Sequence, residues 1–308
     1  MRRFVTYCAA FAALVVATLA LAECALRRVP NTYAYKHQWM QRHHSRVQTL
    51  ILGNSLVLEG INPALVPGCT FNLCNVAQTM EQDRQLLMAY APYDSLHTVV
   101  VGLSENILYA PLEQVPTLAV RATYYQLYMH CGNHPWWSSH RYELSRLDAA
   151  RAKWKAYRQL RRQGRTVACD SLGFAPELLS RRPADWRKRG TGVSWQQIST
   201  PLVHYARNVT HLAAIARFCR QSGIRLVLVS TPLWQPTDAK TRRCYQSLGR
   251  WMQQQQLATY LDYSDDRRFD DNDFYDAHHL NDRGADKFTR LLVTDLPTSP
   301  YSLPPTPK

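Results

Sequence analysis

Two short runs with unbroken apolar centres constrain this chain most: "LHTVVVGL" from Leu96 to Leu103 and "IRLVLVS" from Ile224 to Ser230. Their length suits strands, and their centres show no alternation that would mark a solvent-facing side. Such a strand has to be covered on both faces, as in a parallel sheet held between helix layers. Three further segments read as strands: Val47 to Leu52, Gly68 to Val76 ("GCTFNLCNV") and Ala258 to Tyr263 ("ATYLDY"). Between and after them, Thr79–Tyr90, Pro201–Ser222, Asp238–Gln256 and the stretch from about Arg283 carry helical spacing. The alternation predicts an α/β fold, a three-layer α/β/α sandwich with right-handed crossovers and a flavodoxin-like parallel sheet in the order 2-1-3-4-5. In that order the ends of the first and third strands meet at the switch point, where such sheets carry their sites.

The regularity breaks between residues 104 and 200. An aromatic stretch, "TYYQLYMHCGNHPWW", precedes a basic segment that is helical from Leu144 to Gly164. This region reads as an insertion into the α/β domain of residues 47–296, forming a cap or side subdomain. Residues 27–46 are polar and read as a linker with a short helix. The proline-rich end, 297–308, reads as disordered.

Met1-Arg2-Arg3 precedes 19 uncharged residues, Phe4 to Ala22. As a helix these span about 28 Å, the thickness of a bilayer's hydrocarbon core. The leading arginines favour a cytoplasmic N-terminus. Two readings stand: a single-pass anchor of a bacterial cytoplasmic membrane, or a signal cleaved after Ala20-Leu21-Ala22. Both put the rest of the chain outside that membrane, periplasmic in the first reading and secreted in the second.

The net charge of +14 is concentrated, with fourteen basic against five acidic residues between positions 141 and 190. Such a block suits an anionic glycan or lipid, or is a solvated helix face. Nucleic acid is not an expected partner, because export removes it and no nucleic-acid motif is present. Of the eight cysteines, Cys69 and Cys74 flank one strand on opposite faces and do not suit each other. Cys131, Cys169, Cys219 and Cys244 either pair in an oxidising compartment or are small buried thiols.

The first strand runs out at Gly53-Asn54-Ser55. These are ordinary turn residues, and they also place a serine hydroxyl where an α/β sheet holds its site. A serine needs a base, and the base needs an orienting acid. The C-terminal segment supplies Asp276-Ala277-His278-His279. On a helical turn residues three apart share a face, so Asp276 can hold one nitrogen of His279 and leave the other for Ser55. His278 then points elsewhere. The acidic residues around this pair lack the glycine and terminal glutamate of a calcium loop and the HExxH of zinc proteases, so no metal is expected.

Taken together, "LGNS…GI-P" near the start and "DAHHLNDRGADKFT" near the end resemble the SGNH/GDSL hydrolase superfamily. Within it the chain is similar to membrane-anchored bacterial envelope members, with further likeness in "FNLCNVAQT", "HTVVVGLS" and "IRLVLVSTP". The resemblance covers roughly Thr49 to Leu292 and matches 104–200 poorly. It implies Ser55 as nucleophile, His279 as base and Asp276 as its orienter, with no cofactor. The oxyanion would take the Ser55 N–H. The family's glycine after the second strand and asparagine after the third are replaced here, leaving Asn75 or Gln78 and Ser104 as stand-ins. The activity implied is a serine-dependent acyl, in particular acetyl, ester hydrolase or O-acyltransferase acting on an envelope glycan. Tyr124, Tyr125, Trp136 and Trp137 are candidates for stacking on sugar rings or for packing within the cap. The oxyanion replacements also motivate the alternative of a non-catalytic relative that binds a glycan, lipid or protein partner.

Overall fold

The computed structural model describes residues 1–109, 116–132, 135, 137–189, 201–234 and 239–296. Five strands form one all-parallel sheet: β1 (Thr49–Leu52), β2 (Thr70–Asn72), β3 (Thr98–Gly102), β4 (Arg225–Ser230) and β5 (Thr259–Asp262). Their order is β2-β1-β3-β4-β5, the expected α/β sandwich. The strands are shorter than the apolar runs that signalled them, above all β2, because pairing stops where loops leave the sheet. β1, β2 and β3 are buried at every position, as a sheet covered on both faces requires.

Ten α-helices accompany the sheet among the described residues: α1 (Arg2–Arg27), α2 (Thr32–His43), α3 (Ser55–Leu58), α4 (Met80–Ala89), α5 (Glu105–Tyr109), α6 (Pro116–Tyr128), α7 (Leu147–Arg162), α8 (Pro201–Gln221), α9 (Ala239–Gln254) and α10 (Asp282–Asp295). The chain divides into two compact units. One comprises Met1–Gln38 and Leu112–Ala168; the other comprises Trp39–Pro111 and Cys169–Lys308 and carries the sheet.

The short helix expected within residues 27–46 is present as α2. The stretch 27–46 is helical over most of its length, with Tyr33 and Met40 buried on α2. Its polar composition hid the few apolar positions that pack. The insertion is narrower than 104–200, since α5 and the segment from Cys169 onward belong to the sheet unit. That segment covers the edge strand: the Asn72 N–H donates to the Leu172 carbonyl (2.9 Å), and a Cβ on Gly173 would stand 2.1 Å from the Asn72 carbonyl. Trp186 completes the core beside Phe274 and Leu280. With almost no regular secondary structure, the segment left no periodic signal. Residues 190–200 and the tail 297–308 lie outside the described residues.

α1 is 26 residues long, and none of its side chains is buried. It is long and apolar enough to cross a membrane. All eight cysteines are free thiols, so the pairing considered for Cys131, Cys169, Cys219 and Cys244 is not formed. Burial pushes the Cys131 and Cys219 thiols up to about 12.

Two sequence motifs fix α10 to the sheet unit. Asn281 is its N-cap, accepting from the Gly284 N–H (3.0 Å), while its amide donates to the carbonyls of Asn272 and Phe274. Asn62 reaches α10 from the other side, its amide donating to Asp286 (2.8 Å) and its N–H to the Thr289 hydroxyl (2.9 Å). At Gly284 a Cβ would stand 2.0 Å from the Asp273 carbonyl. Gly284→Ala is therefore expected to lower stability by roughly 1–3 kcal/mol through overpacking against backbone. Denaturant melting followed by circular dichroism measures this, and an unchanged midpoint would contradict it.

Candidate active site

Directly after β1 comes Gly53, whose φ of 136° is a backbone state that side chains with a Cβ rarely adopt. A Cβ there would stand 3.2 Å from the Gly102 nitrogen at the end of β3. The two glycines let adjacent strand ends approach as the chain turns. Asn54 then caps α3, its side chain accepting from the Leu56 N–H (3.1 Å) and its amide donating to the Ser104 hydroxyl (3.3 Å). Ser55 opens α3. Its N–H has no acceptor among the described residues.

The Ser55 Oγ lies 2.9 Å from Nε2 of His279, and Nδ1 of His279 lies 3.0 Å from both Asp276 oxygens. Asp276 and His279 do not sit on a helical turn, contrary to the sequence expectation. They occupy an irregular bend in which Asp276 Oδ1 accepts the backbone N–H groups of His278 (2.9 Å) and His279 (2.8 Å). The aspartate thus folds its own turn while it orients the imidazole. The bend is held at its ends by the Phe274–Leu280 bridge and by Asn281. The His278 ring, unlike its backbone N–H, bonds neither Ser55 nor Asp276 among the described residues; burial lowers its pKa.

Two carboxylates that the sequence reading missed lie near the same imidazole. Glu59, on the turn after α3, places Oε2 3.9 Å from His279 Nε2, with only 11% of its side chain exposed. Glu177 comes from the segment that covers β2 and pairs with Asn281 in a short parallel bridge. Burial raises the Glu59 pKa to about 7, opposed by His279 and helped by Glu177 and Asp276. Burial raises Glu177 too. For His279, burial works against the charged form, but Glu59, the Asp276 bond and Glu177 outweigh it and bring its pKa to about 9. Burial also opposes ionisation of Asp276, yet the His279 bond and the two backbone N–H groups hold it below the usual carboxylate range.

Beneath the serine turn runs a buried polar chain. Asn75 donates to Gln78 (3.3 Å), and Gln78 donates to Asp83 (2.6 Å). Asp83 is fully buried; burial raises its pKa to about 7, against the pull of Gln78 and the Gly53 N–H. Asn72 gathers the carbonyls of Val57, Leu58 and Ile61 and so fixes the end of α3. Among the expected oxyanion donors, Asn75 and Gln78 are therefore engaged below the turn. Ser104 accepts from Asn54 and keeps its own hydroxyl proton to donate. Tyr124 and Tyr125 are packing groups of the helical unit, not a sugar platform. Both rings pack on Tyr33, Tyr124 donates to the Ala149 carbonyl (2.7 Å), and Tyr125 is buried. Trp137 is 71% exposed, and Trp136 lies outside the described residues. The acidic residues near the bend make their own bonds: Asp270 caps a short turn, Asp271 takes Trp234 and Arg187, and Asp273 takes Lys287.

No family model matches the chain, and no curated protein matches it. Among solved structures it is similar to a Streptococcus pneumonia protein provisionally assigned as a platelet activating factor. That match has 12% identity and TM-score 0.40, covering 92% of this chain and 97% of the other. It is also similar to a Bacteroides fragilis protein provisionally assigned as an acylhydrolase, with 10% identity and TM-score 0.40, covering 83% of this chain and 94% of the other.

A carboxylate 3.9 Å from Nε2 stabilises the imidazolium, so its removal should ease deprotonation. Titrating the His279 ring by NMR is expected to give a midpoint near 9. Glu59→Gln should move that midpoint to lower pH by roughly one unit. An unchanged or raised midpoint would contradict this electrostatic coupling.

Proposed function

We propose that this chain is a serine acyl-ester hydrolase or O-acyltransferase of SGNH type, acting outside the membrane that α1 crosses. The observation that carries the reading is the continuous bonding from Ser55 Oγ to His279 Nε2 and from His279 Nδ1 to Asp276. Nucleophile, base and orienter stand within hydrogen-bond reach, as activation of a serine requires.

In the reaction, Ser55 Oγ attacks the ester carbonyl carbon as its proton passes to Nε2 of neutral His279. The carbonyl π electrons move onto oxygen. The Ser55 N–H and the Ser104 hydroxyl are the donors this reading assigns to that oxyanion. Collapse expels the alkoxide, which takes the proton from Nε2. Water or an acceptor hydroxyl then attacks the acyl-serine and repeats the sequence, giving hydrolysis or transfer. Asp276 keeps its hold on Nδ1–H throughout and favours the imidazolium.

Glu59 and Glu177 make the surroundings of the imidazole acidic, which suits a neutral ester better than an anionic one. In this reading α1 is a signal anchor with its short N-terminus in the cytoplasm and the site on the extracytoplasmic side. The substrate in this reading is a small acyl group, acetyl above all, carried by an envelope glycan.

The test is p-nitrophenyl acetate turnover by the full chain in detergent, with intact-mass detection of an acetyl adduct. Wild type should turn over, while Ser55→Ala and His279→Ala should fall to the background rate. Ser104→Ala should lower kcat by about 10²-fold, the usual cost of one oxyanion donor. A wild type that matches Ser55→Ala and forms no adduct would contradict the function.

A further inference from the structure

α7 has two unlike faces. Ala149, Ala150 and Lys153 are buried. On the other side Arg151, Trp154, Lys155, Arg158, Gln159 and Arg162 line an open groove of about 490 Å³. Four of these six side chains are cations. Arg151, Lys155, Arg158 and Arg162 follow one another at spacings of three or four, where like charges repel along a helix. The one acid of α7, Asp148, is bonded to Arg146 (2.8 Å), and none of the four cations has an acidic partner among the described residues. Trp154 stands among them, 48% exposed. An anionic counterpart would offset the repulsion within this unbalanced basic stripe and its exposed indole.

The location of the stripe identifies that counterpart. α7 is bonded to the last turn of α1 within the same compact unit. Lys153, itself 3% exposed, donates to the Leu26 carbonyl (2.7 Å) and pairs with buried Glu143. The Glu23 carboxylate accepts the N–H groups of Glu143 and Leu144 (3.0 Å each), and Arg27 donates to the Arg141 carbonyl (2.7 Å). Glu23 is the first charged residue after the apolar run, so with α1 read as a membrane span these bonds hold Lys153 and the 141–144 approach to α7 near the level where α1 leaves the hydrocarbon. Trp154 follows Lys153 directly, and Arg151 precedes it by two. Basic side chains with an indole at that depth match the anionic headgroup layer.

We propose that the Arg151–Trp154–Lys155–Arg158–Arg162 face of α7 is a binding site for anionic phospholipid headgroups of the bilayer that α1 spans. The proposal rests on the reading of α1 as a membrane span and is independent of the chemistry at Ser55. Its consequence is that headgroup charge controls how firmly the helical unit seats on the membrane.

The full chain is reconstituted into nanodiscs of phosphatidylcholine alone, and into discs where phosphatidylglycerol replaces about a third of it. Hydrogen–deuterium exchange is followed in peptides from α1 and α7. α1 should be protected in both discs, and α7 should exchange roughly tenfold more slowly in the charged ones. A variant carrying Arg151→Gln, Lys155→Gln, Arg158→Gln and Arg162→Gln should lose the lipid dependence of α7 while keeping ester turnover and α1 protection. Protected α1 with α7 indifferent to phosphatidylglycerol would overturn the headgroup site alone. Freely exchanging α1 would overturn the span and the site together. Protection of α7 by soluble alginate in neutral discs, without an effect of phosphatidylglycerol, would assign the stripe to an anionic glycan and overturn the lipid site.

Discussion

The chain just past β1 and the end of β3 approach so closely that both contact positions are glycine. Gly53 and Gly102 face each other there, and a Cβ on Gly102 would fall 2.3 Å from a Val57 methyl carbon. This contact turns the chain out of β1 and sets the start of α3, which Asn54 caps with Ser55 as its first residue. Buried polar groups hold the turn from below: Asp83 beside the Gly53 N–H, and Asn72 on the carbonyls that close α3. The position of the serine therefore follows from sheet packing and from buried hydrogen bonds that leave α3 little freedom.

His279 arrives from the other end of the chain, and the two ends are tied by the motifs that bracket them. Asn62 bonds α10 through Asp286 and Thr289, and Asn281 caps α10 while gripping the loop before it. The bend carrying Asp276 and His279 is suspended between these fixed points. Around its imidazole three carboxylates gather, of which Asp276 stays ionised while burial keeps Glu59 and Glu177 easier to protonate. Such an imidazole holds its proton tightly, up to about 9, and acts as a base only in its neutral form. For the proposed reaction, these electrostatics place activity at alkaline pH.

Much of this was legible in the sequence for identifiable reasons. Apolar strand centres and helical spacing gave the sheet and its order. Gly53, Asn54, Ser55, Asp276 and His279 were visible because turn chemistry and a three-residue spacing are local. The spacing suggested a helical turn, yet the bend is made by Asp276 capping its own backbone, a device that leaves the same interval in sequence. Glu59, Glu177, Asn72 and Asp83 were invisible because their roles depend on contacts between distant segments. The segment after Cys169 was hidden for the same reason: scattered bonds to Asn72, Leu58 and Asp282 hold it, with no repeat to read. Tyr124 and Tyr125 looked like display residues by type, and only packing against Tyr33 revealed them as core.

The central claim is that Ser55 is a nucleophile activated by His279. The most direct measurement is intact mass, with peptide mapping, after treating the full chain with diisopropyl fluorophosphate. Phosphorus bonds to Oγ as fluoride leaves, so each activated serine gains one stable adduct. The expected result is a single adduct on Ser55, absent from Ser55→Ala and strongly slowed in His279→Ala. An unmodified wild type, or an adduct elsewhere that survives Ser55→Ala, would contradict it.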